Sequence, residues 1–159
     1  EKPPFAMLNL LGEYDCKLDP KGRLMLPVDL RKQLGDEAVK EGFVLNRDIF
    51  EKCLVLYPMA EWKKVSDQVS SLNRFIKDNA IFIRKFNNGA TPVELDGTGR
   101  LLVPKPLAEF GVFDKDVKVL GNGERIELWS KAAYEAMMNE DVDFGSLSDK
   151  VMGGIGNDK

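Results

Sequence analysis

Tyr14, Cys16 and Leu18 alternate with Asp15 and Lys17, which is the period of a half-buried strand, and Val93 and Leu95 do the same about Glu94. Each alternation runs into a turn, Asp19-Pro20-Lys21-Gly22 in one place and Asp96-Gly97-Thr98-Gly99 in the other. Proline at a position where its fixed φ helps, and glycine where positive φ is required, are the residues such turns select. A short apolar strand follows each turn, Leu24 to Leu26 and Leu101 to Val103. Pro27 and Pro104 then suit the first turn of a short helix that Gly35 and Gly111 are placed to close. Two further strands are predicted in each region, 43–46 with 53–57 and 117–120 with 125–129, the second pair joined through Gly121-Asn122-Gly123. Helical sequence lies between the regions, from Met59 to about Val69 and from Leu72 to about Phe86. In the latter, Leu72, Phe75, Ile76, Ala80, Ile83 and Phe86 share one face, expected as core or subunit interface. A last helix, with Ser130 as N-cap, is predicted to run to about Met138.

The two regions are copies of one another. At a constant offset of 77, Leu18, Asp19, Gly22, Arg23, Leu24, Pro27 and Leu30 recur as Leu95, Asp96, Gly99, Arg100, Leu101, Pro104 and Leu107. Farther on, Cys53-Leu54-Val55-Leu56-Tyr57 answers Arg125-Ile126-Glu127-Leu128-Trp129 and Trp62 answers Tyr134, at an offset of 72, so the first copy carries a five-residue insertion. The pattern predicts an α+β, mostly β chain. It divides into a first half at 10–57, connecting helices at 58–88, a second half with its terminal helix at 89–138, and an acidic flexible tail at 139–159.

Composition narrows the function. The 159 residues are 43% hydrophobic, enough for a real core. No run reaches the 18 or so apolar residues of a membrane span, and no basic segment leads into a secretory apolar core, so a cytoplasmic protein without a membrane partner is expected. Glu1 to Ala6, ahead of Met7, are given no function. The absence of histidine removes the Ser-His-Asp and Cys-His nucleophile systems and imidazole zinc sites. Cys16 and Cys53 have no partner motif and are expected as reduced strand residues rather than a disulfide. No cofactor and no metal is expected. The net charge of −3 lies wholly in the segment from Glu140 onward, which holds five acids and two bases; the body carries 21 of each. A neutral body can still present a basic face.

Asp-x-x-x-Arg is the polar constellation the chain makes twice. The aspartates, with Gly22 and Gly99, are expected to shape the loops: Asp19 and Asp96 accept backbone N–H groups and pair with their arginines. Arg23 and Arg100 are permanently charged forks suited to phosphate or guanine. Reading the two aspartates as paired catalytic acids fails, because an arginine four residues on keeps each ionised; no enzyme and no catalytic residue is expected. The paired glycines at 97/99 and 121/123 lack the strand-to-helix context of a nucleotide loop. Arg74, Lys77, Arg84 and Lys85 read as a solvated face, and Trp62, Trp129 and Tyr134 as packing residues.

The doubled Leu-Asp-x-x-Gly-Arg-Leu-x-x-Pro, the Leu-Val-Leu-Tyr-Pro-Met-x-Glu-Trp at 54–62 and the Arg-Ile-Glu-Leu-Trp-Ser-Lys at 125–131 resemble the MraZ family of bacterial regulators, over about residues 10–139. The resemblance implies two AbrB-like swapped-hairpin halves forming one pseudo-symmetric unit, and head-to-tail homo-oligomeric rings. It also implies binding of double-stranded DNA at short G-rich direct repeats in the promoter of the protein's own operon of division and cell-wall genes, hence a nucleoid-associated location. Carried over, its loop motif falls on Asp19 with Arg23 and Asp96 with Arg100. Lys17 and Lys21 flank the first loop while the second is uncharged Gly-Thr-Gly, so Lys17, Lys21, Arg23 and Arg100 form the expected DNA-binding set, with more electrostatic weight on the first loop. The competing reading is an AbrB-like protein-interaction module without direct DNA readout.

Overall fold

A computed structural model describes residues 7–154; Glu1 to Ala6 and the glycine-containing end from Ile155 onward lie outside the described residues. The elements run β1 (Glu13–Lys17), β2 (Arg23–Met25), α1 (Val28–Leu34), α2 (Asp36–Glu41), β3 (Phe43–Arg47), β4 (Leu54–Pro58), α3 (Met59–Ser70) and α4 (Lys77–Asn87). The second copy then gives β5 (Thr91–Val93), β6 (Arg100–Leu102), α5 (Lys105–Phe110), β7 (Asp116–Asn122), β8 (Arg125–Ser130), α6 (Lys131–Met138) and α7 (Phe144–Gly153).

The halves exchange their leading strands. β1 of the first half pairs antiparallel with β7 of the second, with Cys16 opposite Val117, while β5 of the second pairs with β3 of the first, with Phe43 opposite Val93. The large sheet therefore runs β1-β7-β8-β4-β3-β5, and the chain crosses between halves at both edges. β2 and β6 form a separate two-stranded ribbon in which Leu24 faces Leu101. This is an α+β fold, as the pattern predicts, of two swapped hairpins, as the resemblance implies.

Burial follows the alternation. Leu24 and Leu101 point inward from the ribbon and are fully buried with Leu26, Leu30, Phe43, Leu45, Leu54, Leu56, Leu107, Ile126 and Leu128 in one core shared by both halves. β4 is buried on both faces, which explains its unbroken apolar run. The edge β1–β7 is tied by charge instead. Lys118 Nζ reaches Glu13 at 3.1 Å and Asp15 at 2.8 Å, and the Tyr134 hydroxyl donates to Glu13 at 2.6 Å, a bond that together with burial pushes its pKa up to about 12.

Three expectations change. The single short helix predicted after Pro27 is two, because the chain restarts at Asp36 after Gly35; α2 buries no residue, and Val39 alone gave its sequence no readable stripe. The middle helix starts at Lys77 rather than Leu72. The Asn73 side chain accepts from Phe75 N–H at 3.0 Å and holds a turn there, so Phe75 is fully exposed, and Ile83 and Phe86 do the packing, against Val69 of α3. The acidic segment expected as an unstructured tail forms α7, started by Asp143, whose carboxylate accepts from Ser146 N–H. Its apolar spacing was present in the sequence, but glycine and acid content outweighed it. Cys16 and Cys53 are both free thiols.

Because Leu24 and Leu101 occupy mirrored sites, Leu24→Ala and Leu101→Ala are each expected to cost about 2–5 kcal/mol of unfolding free energy, and to within error the same amount. Urea titration followed by circular dichroism measures both.

Candidate nucleic-acid interface

The turn before β2 is built by its own aspartate. Asp19 N–H donates to the Arg23 carbonyl at 2.9 Å and Gly22 N–H donates to the Asp19 carbonyl at 3.0 Å. The carboxylate Oδ1 accepts from Lys21 N–H at 2.9 Å and Arg23 N–H at 2.8 Å, and Oδ2 accepts from Arg23 Nε at 2.7 Å. Asp96 repeats the scheme: its Oδ1 accepts from Thr98 N–H at 2.9 Å, the Thr98 hydroxyl at 2.7 Å and Arg100 N–H at 3.0 Å. Arg100 Nε donates to the Thr98 hydroxyl at 3.0 Å. The backbone N–H of each arginine is the leading cause that holds both carboxyls below the ordinary aspartate range. Each carboxylate thus accepts two backbone N–H groups of its own turn.

The loops also lock to each other. Gly22 carbonyl accepts from Val103 N–H at 2.8 Å, and Gly99 carbonyl accepts from Leu26 N–H at 3.0 Å. Both glycines hold φ near +85° to +88°, and a Cβ at Gly22 would lie 3.3 Å from the Val103 carbonyl. Across the ribbon, Arg23 stands opposite Leu102 and Met25 opposite Arg100. Leu24 and Leu101 face inward, so the outward face carries Arg23, Met25, Arg100 and Leu102, with Met25 and Leu102 exposed. Arg100 also lies 4.0 Å from Asp19, so one carboxylate sits between the two guanidinium groups.

The other expected cations are placed differently. Lys21 is exposed at the tip of the first turn. Lys17 extends from β1 to an ion pair with Asp116 on β7, beside the loop rather than on it. Sequence reasoning missed Arg31 on α1. A Cβ at Gly99 would lie 2.5 Å from its Nη1, and its Nε donates to the Leu26 carbonyl at 3.2 Å. The swap brings this first-half guanidinium under the second loop, which is therefore not the weakly charged partner expected. Its counterpart at the repeat offset is Ala108, so no doubled signal marked it. Met25 and Leu102 were legible as the outward positions of their strands. Among the described residues no group of three His, Cys, Asp or Glu side chains could hold a metal ion, and no helix is long and apolar enough to cross a membrane.

Two hairpin units that exchange strands and present a doubled, acid-braced arginine loop define a tandem swapped-hairpin protein. The family described as "MraZ protein, putative antitoxin-like" matches residues 9–85 and again 86–151, and the chain belongs to the MraZ family. It is similar to the transcriptional regulator MraZ of Flavobacterium psychrophilum, with 46% identity over 96% of this chain and 98% of the relative. The proteins of that name from Christiangramia forsetii and Clostridium beijerinckii are 44% and 37% identical, over 92% and 89% of this chain and 95% of each relative. Each of these relatives carries the name transcriptional regulator.

Gly22→Ala and Gly99→Ala are expected to lose about 1–2 kcal/mol from positive φ alone. Gly99→Ala should lose more, since Arg31 must also move. Denaturant titration ranks them. Because Asp19 and Asp96 are more acidic folded than unfolded, their contribution is complete above the ordinary aspartate pKa of 3.8 and disappears as pH falls through the folded values. Thermal melts from pH 5 to pH 2 (a range of about three units around that value) should therefore fall less steeply for Asp96→Asn than for the parent chain.

Proposed function

We propose that the chain is a sequence-specific DNA-binding transcriptional regulator that places the β2–β6 ribbon in the major groove at short G-rich direct repeats. The observation that supports this best is the outward face of the ribbon, where Arg23 and Arg100 stand on adjacent strands, each fixed by its own aspartate and separated by the apolar Met25 and Leu102. A two-stranded ribbon fits the major groove, and an arginine fork pairs with O6 and N7 of guanine. Lys21 and Lys17 on one side, with Arg31 on the other, would meet phosphate, which sets register and carries no sequence information. The promoter upstream of the protein's own operon of division and cell-wall genes is the target this reading assigns, with the cytoplasmic nucleoid as its place of action.

Successive loops meet successive repeats if the subunits join head to tail. Two similar but non-identical halves supply the two unlike faces such a heterologous contact needs, and a rotation that closes gives a ring. Affinity then comes from several modest contacts engaged together.

Fluorescence anisotropy with the cognate promoter tests the reading. Arg23→Ala and Arg100→Ala, shown folded by circular dichroism, should each lose about 1–3 kcal/mol of discrimination per engaged guanine. The losses should be similar, since Arg31 offsets the uncharged second turn. Lys21→Ala should weaken all sequences alike and reduce the magnitude of the log–log salt slope by about 0.9 for each phosphate that the lysine neutralises. Unchanged binding in a folded Arg23→Ala, Arg100→Ala double variant would remove this mechanism and leave the loops as a surface for an acidic partner protein.

A further inference from the structure

The two halves differ in one pair of features, and each feature lacks a partner within the described residues. On the side of the first half, a hollow of about 550 Å³ opens beside α4, lined by Arg47, Ile49, Ile81, Phe82, Phe86 and, reaching over from α5 of the second half, Phe110. Its lip is Ile49 and Phe50, which are 58% and 89% exposed on the connection between β3 and β4. The second half joins its corresponding strands, β7 and β8, through Gly123-Glu124 alone and has no such lip. Arg47 stacks its guanidinium 5.2 Å over the Phe110 ring, and its buried Nε has no hydrogen-bond acceptor.

In the second half, α7 presents Phe144, Leu147 and Val151 at helical spacing, and none of its residues is buried. In chain order α7 stands to α6 as α4 stands to α3. Whereas α4 buries Ile83 and Phe86 against α3, α7 leaves its apolar face uncovered. Its flanks are acidic, with Glu140, Asp141, Asp143 and Asp149. The hollow is ringed by Arg47, Lys52 and Lys85. Of the two acids beside them, the Asp48 carboxylate is already engaged by the N–H groups of Phe50 and Glu51, and Asp78 on the first turn of α4 leaves the mouth net positive.

The geometry points to one contact that uses both features: α7 of one protomer seats Phe144, Leu147 and Val151 in the hollow beside α4 of a second copy. The occupant is a second copy because the chain itself carries the matching helix, with an acidic rim to meet the basic mouth. One hollow in the first half and one helix in the second make the contact heterologous, so it propagates from copy to copy. This inference rests on the head-to-tail reading above and assigns the surfaces that produce it.

Light scattering on the full chain at micromolar concentration tests it with two variants altered only at exposed positions. Leu147→Asp with Val151→Asp spoils the helix, and Ile49→Asp with Phe50→Asp spoils the lip. Circular dichroism melts should match the parent chain. The parent chain is expected to be an oligomer and each variant a monomer. An equal mixture of the two should form a two-chain species, because one intact hollow meets one intact helix and the other end of each chain is blocked. A monomeric parent chain would overturn the head-to-tail reading and this contact with it. An oligomeric parent whose size survives the helix substitutions would overturn the contact alone. Dissociation of both variants with no two-chain species on mixing would show that the helix and the lip serve different contacts, which also overturns it.

Discussion

Pairing of β2 with β6 is the constraint on which the rest depends. Three residues from each half meet there, with Leu24 against Leu101 underneath, and the carbonyls of Gly22 and Gly99 are taken by N–H groups of the opposite copy. Each buried leucine contributes about 1.5–3 kcal/mol, and neither is buried unless the other half is present. The same junction fixes where the loops stand. Since each turn is braced by its own aspartate and hydrogen-bonded across to the other copy, the separation of Arg23 and Arg100 is set by strand pairing rather than by flexible side chains. Two long cationic side chains thereby reach a fixed spacing with little ordering left to do on binding.

The brace has an electrostatic counterpart. Asp19 Oδ2 lies 2.7 Å from Arg23 Nε and 4.0 Å from Arg100 Nη1, so the outward face is less positive than two arginines and a lysine suggest. A phosphate or guanine approaching this face meets guanidinium groups already held through Nε, Arg23 by Asp19 and Arg100 by Thr98. Orientation is gained at the expense of charge, which favours directional recognition over simple attraction to any polyanion. Arg31 beneath Gly99 restores some of that charge on the second loop without altering its turn.

Much of this was legible from the chain alone. The seven repeated residues disclosed two units, and the alternation at Tyr14 to Leu18 marked β1, whereas the one at Val93 to Leu95 met β5 only at Val93, the strand lying two residues earlier. The turn aspartates were readable because Asx chemistry is local. What escaped notice depended on contacts between distant segments. Arg31 gains its place from the strand exchange, and Ala108 at the matching repeat position gave no hint of it. The inward turn of Ile83 and Phe86, with Phe75 left in solvent, was decided by the Asn73 side chain, which diverts the chain just before α4. α7 was masked by its acids and glycines, although Phe144, Leu147 and Val151 hold helical spacing.

The strand exchange also sets a schedule for synthesis. β1 leaves the ribosome early, but the Asp116 that pairs with Lys17 follows 99 residues later. At about 5–20 residues per second, that is an interval of roughly 5–20 seconds in which β1 has no partner. A strand edge left open so long can pair with another nascent chain, and neighbouring ribosomes on one message hold many copies of it. Lys17, Asp15 and Glu13 along β1 are then charges that discourage premature pairing before they become the ion pairs of the finished sheet.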